Sequence, residues 1–70
     1  MTTLTAIVTK EEDMYIAKCP EVGTISQGKT IAKALENLKE ATELYLEEFP
    51  QLKIGKPFLT TFEVADVVSS

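Results

Sequence analysis

The side chains with chemistry to offer in this chain are mostly carboxylates. Glu36, Glu40, Glu43 and Glu47 follow one another at steps of three and four. Steps of that kind bring side chains to one face of a helix. A row of exposed carboxylates suits contact with a basic protein surface and steers association toward one. Two-metal phosphoryl chemistry asks for something else, namely several carboxylates converging on one pocket. The strand acids are sparse for that purpose: Glu63 and Asp66 near the end, with Glu11, Glu12 and Asp13 in a turn. The chain has no histidine, so a serine or cysteine nucleophile would lack its ordinary base. Cys19 stands alone, which excludes an internal disulfide and the usual zinc ligand sets. It reads as a small apolar residue at a strand end. The run Gln27-Gly28-Lys29-Thr30 precedes a helix, where anions can bind. It lacks the glycines and the terminal Lys-Ser/Thr pair of a phosphate loop, so it reads as turn and cap. No catalytic residue, cofactor site or metal site is expected. The expectation is instead a protein-contact surface made of Glu36, Glu40, Glu43 and Glu47, with Leu44 beside them.

The element that must carry this row is a helix from Ile31 to Phe49. Thr30 is a good N-cap, Gly28 permits a sharp turn into the helix, and Pro50 ends it. Ile31, Ala34, Leu35, Leu38, Ala41, Thr42, Tyr45 and Phe49 recur at helical spacing and form the expected buried stripe. The carboxylates lie on the other side. Local stability does not favour their placement. Glu36/Glu40 and Glu43/Glu47 are like-charge pairs four apart, each costing about 0.2–0.5 kcal/mol. Glu47 and Glu48 meet the negative end of the helix dipole, at about 0.3–1 kcal/mol each.

The flanking segments read as strands. Residues 4–9 are rich in β-branched side chains, and 14–19 alternate Met14, Ile16 and Lys18 against Tyr15, Ala17 and Cys19. Charged residues 10–13 form the turn between them. Pro20 ends the second strand, and 24–27 make a short third strand at an edge. After the helix, a connector over 50–57 carries Leu52 and Ile54, expected to pin it to the core. A last strand is expected over 58–68, with apolar residues on both faces. The order is β-β-β-α-β, an α+β fold in which one helix covers one face of a four-stranded mixed sheet. No second helix covers the other face. Tyr15, Phe58 and Phe62 are expected to meet solvent there and to serve self-association.

Seventy residues make a single domain, 1–70, with a core too small to leave much net stability. With disulfide and zinc excluded, a partner subunit is the remaining support, so a homo-oligomer (dimer or tetramer) is expected. A net charge of -4 disfavours direct nucleic-acid binding. No apolar run approaches the ~20 residues of a membrane helix, and the first residues lack a signal-peptide pattern. A cytoplasmic setting is expected.

One long run carries a family likeness. It contains Tyr15, Ala17, Cys19, Pro20 and Glu21; then Ser26, Gln27, Gly28 and Thr30; then Ala34, Leu35, Asn37, Glu40 and Ala41; then Leu44, Tyr45, Leu46 and Glu47. In that order and spacing it resembles the HicB antitoxin family and its short HicB-like relatives. The likeness covers about half of the chain in detail. It implies a partial RNase H-like βββαβ fold. It also implies the antitoxin role of a type II toxin–antitoxin system, occluding a small, basic, RNA-binding HicA-type mRNA interferase. Alternatives are a stand-alone HicB-like scaffold that has lost its toxin, and a vestigial RNase H-like enzyme. Two features depart from the family pattern. The turn after Cys19 is one residue shorter than usual. Full-length members often continue into a ribbon-helix-helix or helix-turn-helix domain, and the seventy residues contain none, so the resemblance is to a short member.

Overall fold

The computed structural model describes residues 2–50, 55 and 58–66. Three strands and one helix follow in order: β1 (Ile7–Glu11), β2 (Met14–Cys19), β3 (Thr24–Gly28) and α1 (Ile31–Glu48). The strands form an antiparallel sheet in the order β1-β2-β3. The fold is α+β, with the helix on one sheet face, chiefly over β3 and next over β2.

β2 spans the residues expected of it. β1 does not. It begins at Ile7 rather than Leu4 and takes in Lys10 and Glu11, leaving Glu12 and Asp13 as a two-residue turn. The cause is the length of its partner. Ile7 already pairs with Lys18, and β2 ends at Cys19 before Pro20. Ala6 stands opposite Cys19, the last residue of β2, and Leu4 and Thr5 run past its end. The tight hairpin holds Glu12 at a φ of 54°, in the left-handed region that side-chain-bearing residues avoid.

The two faces of the sheet follow from the period of two. Val8, Ala17 and Ser26 are register partners across the strands and lie on the helix side, as do Tyr15, Cys19 and Thr24. Ile7, Thr9, Ile16, Lys18, Ile25 and Gln27 lie on the other side, where no described element covers them. The core is Ala17, Cys19, Ala34 and Leu38, with Leu4, Val8, Tyr15 and Val22 packed around it. Burying Leu38 contributes on the order of 2 kcal/mol. Tyr15 thus belongs to the helix side and not to the bare face on which it was expected. Its strand position puts it in phase with Ala17, and Lys10 across the hairpin lies over its ring, 6.0 Å from the centroid.

α1 starts and stops where the sequence places it. Thr30 has an extended backbone, and its hydroxyl accepts a hydrogen bond from the Lys33 amide at 3.0 Å. The Phe49 amide donates to the Tyr45 carbonyl and closes the other end. The buried stripe is narrower than its spacing suggests. Ala34, Leu38 and Thr42 are buried, whereas Ile31, Leu35, Tyr45 and Phe49 remain largely exposed. A three-stranded sheet is too narrow to cover a stripe eight residues strong, and the helix lies toward β3. Tyr45 and Phe49 pair with each other instead, with ring centroids 4.8 Å apart.

Residues 58–66, where a fourth strand was expected, have no strand partner in this structure. Their side chains are exposed, with Phe58 at 87% and Phe62 at 85%. An alternating segment makes a strand only where a ladder receives it, and the sheet described here is three-stranded and wholly antiparallel rather than mixed. The expected contacts of Leu52 and Ile54, and the end of the last strand at 67–68, lie outside the described residues.

Candidate functional site

The acidic row stands clear of the core. Glu36, Glu40, Glu43 and Glu47 are all exposed, on the side of α1 opposite Ala34, Leu38 and Thr42. Leu44 is exposed at 57% on an adjoining flank. Among the described residues the one ion pair is Lys33 with Glu36, at 3.7 Å and on the surface. The other three carboxylates of the row have no cationic partner there. No acidic residue occupies the first turn of α1 and no basic one the last, so the dipole is left unbalanced at both ends. The row is therefore an exposed line of carboxylates along one side of α1.

That helix is tied to the sheet by contacts that sequence reasoning missed. The Thr24 and Thr42 hydroxyls share a hydrogen bond of 2.6 Å between β3 and the buried face of α1. The Asn37 side-chain amide donates to the Gln27 carbonyl at 2.8 Å, occupying part of the outer edge of β3. Gly28 is buried where β3 passes the first turn of α1. A Cβ there would stand 2.6 Å from the Ala34 nitrogen and 2.8 Å from the Lys33 carbonyl carbon. Gly28 is thus required by close approach and not only by a turn. The one available signal for the threonine link was Thr42 itself, a polar residue on an apolar stripe.

The Cys-Pro-Glu turn is also structural. The Glu21 carboxylate accepts a hydrogen bond from the Thr5 amide at 2.8 Å and one from the Cys19 thiol at 3.5 Å. The Gly23 amide closes the turn onto the Cys19 carbonyl at 2.7 Å, with Gly23 at a φ of 93°. Partial burial pulls the Glu21 pKa upward. The hydrogen bonds from Thr5, from its own backbone and from Cys19 outweigh that and hold it below the ordinary 4.5. Cys19 lies buried beneath, as its small apolar reading requires.

A second feature was not foreseen. Where Leu4 to Ala6 run on from β1, a groove of about 490 Å³ opens between them and α1. Leu4, Leu35, Leu38 and Leu46 line it, with Lys39 and Glu43 at its rim. It exists because the helix lies over β3 and β2 and leaves the β1 side of the sheet unroofed. Tyr15, Phe58 and Phe62 do not come together: the first packs on the core and the other two project from the segment 58–66. Among the described residues no three of His, Cys, Asp and Glu stand close enough to hold a metal ion. Nor is any helix there long and apolar enough to cross a membrane.

Two curated proteins are similar to this chain. A UPF0150 protein of Helicobacter pylori is 48% identical over 44 residues, which is 61% of each chain. A UPF0150 protein of Thermoplasma acidophilum is 47% identical over 45 residues, 61% of this chain and 65% of that one. The chain thus spans less than two thirds of either relative. No family model matches the chain. No solved structure matches it either.

Proposed function

We propose that this chain is a HicB-like antitoxin module, which binds a small basic mRNA interferase of the HicA type and occludes it without catalysis of its own. The observation that carries this reading is the division of labour within the motif-bearing run. Ala17, Cys19, Glu21, Gly28, Thr30, Ala34 and Asn37 all have a task inside the fold. Glu40, Leu44 and Glu47 have none, and they stand with Glu43 and Glu36 on the exposed side of α1. Residues that do nothing for the fold, set at an electrostatic cost to their helix, suit a partner of opposite charge. The fold then corresponds to a βββαβ, partial RNase H-like arrangement in which a 58–66 segment, from the same chain or from a second copy, supplies the fourth strand of a mixed sheet, with the protein in the cytoplasm beside its target.

A second reading, a self-associating HicB-like scaffold without a toxin, is favoured by one observation: the apolar side chains of 58–66 lie in solvent. Co-expression with the product of the adjacent gene separates the two. The antitoxin reading expects a small, basic, histidine-containing protein to co-purify with this chain, and its RNA cleavage to stop on binding. A neighbour that neither co-purifies nor cleaves RNA leaves the scaffold reading.

A further inference from the structure

Three features of this molecule lack a partner, and they fit one another. Among the described residues the outer edge of β1 has no strand beside it. The leucine-lined groove beyond its first residue, beside Leu4 to Ala6, is open. The segment 58–66 alternates Phe58, Thr60, Phe62 and Val64 against Leu59, Thr61, Glu63 and Ala65, and it meets solvent throughout. A bare strand edge that leads into an apolar groove is a standing template for another strand.

We propose that the segment 58–66 of a second copy of this chain adds as a strand to the outer edge of β1, seating Phe58 and Phe62 in the groove, so that two chains exchange strands. The segment's placement favours a second copy over the chain's own edge. Among the described residues it makes no strand pairing with its own body, and the side-chain hydrogen bond it shows there is local, from Thr60 to the Thr61 carbonyl. The energetics point the same way. Among the described residues four apolar ones are buried, a small core, and a second copy supplies further burial. This inference stands apart from the antitoxin reading, since it concerns β1 and 58–66 and needs no toxin.

The test uses the full chain. An equal mixture of isotope-labelled and unlabelled protein is refolded together, and isotope-filtered nuclear Overhauser spectra are recorded. Cross-peaks between copies, joining the rings of Phe58 or Phe62 to Leu4, Leu35 or Leu46, are the expected result. The same cross-peaks found only within one chain mean that the segment folds back on its own β1, and they overturn the proposal. So does a monomeric mass by light scattering at the same concentration. Phe62→Glu is expected to raise the dimer dissociation constant on the order of tenfold or more, while Ile25→Glu on the bare face leaves it unchanged. The opposite sensitivity moves the interface to the sheet face and overturns the proposal. Helical circular dichroism checks that each variant folds. Should one unfold, the spectra of the unaltered chain decide alone.

Discussion

Glu21 joins three parts of the chain that sequence distance keeps apart: the approach to β1 through Thr5, the end of β2 through Cys19, and the turn into β3. Its charged form accepts those hydrogen bonds, so its pKa is lower folded than unfolded. The stability it contributes is present above the unfolded carboxylate value and drains away as pH falls through the folded one. Glu21→Gln should therefore lower the melting temperature at neutral pH and flatten its decline on acidification, as followed by circular dichroism. Parallel melting curves for the two proteins across the acid range would show that another carboxylate governs that decline. At this scale the sequence was legible where a residue acts on its neighbours and opaque where it acts at a distance. Thr30 announces its cap because the amide it binds is three residues on. Gly28 announces a turn, but what excludes a side chain there is the backbone of Ala34 from the next element. Asn37 gives no local sign at all, since its partner is the Gln27 carbonyl on a strand.

Elements were legible in type and less so in extent. β2 and the capped helix came out at their expected bounds because their punctuation is local: Pro20, Thr30 and Pro50. β1 shifted because a strand's ends are set by its partner's length. The helix's stripe narrowed because the sheet beneath it decides how much is covered. The acidic row survived this change, since all four of its carboxylates remain exposed. Its cost and its proposed use can be separated in one variant. Glu47→Lys places a cation at the negative end of α1 and creates a favourable pair with Glu43 four residues earlier. Together these should stabilise the fold by about 0.5–1 kcal/mol. The same change should slow association with a basic partner on the order of tenfold and weaken its dependence on salt. Gained stability with lost binding is the mark of a surface kept for a partner. Gained stability with unaltered association kinetics would remove the row from the interface.

For the whole molecule, the fold class was legible and the completion of the sheet was not. Alternation in 58–66 says that the segment suits a ladder, but nothing in a sequence says whose ladder. The same pattern serves a strand folded back on its own β1 and one given to a neighbour. Thermodynamics distinguishes them without coordinates. A chain that completes its own sheet melts at a temperature independent of its concentration. A chain completed by a second copy gains stability by mass action. Each tenfold rise in concentration then contributes about 1.4 kcal/mol per dimer, which for so small a domain amounts to several °C in Tm. Calorimetry over two decades of concentration is expected to show that rise for the unaltered chain and a flat, lower Tm for Phe62→Glu. A Tm that ignores concentration in both would leave β1 with an edge covered from within the same chain. Segment 58–66 would then be the crossover's own fourth strand.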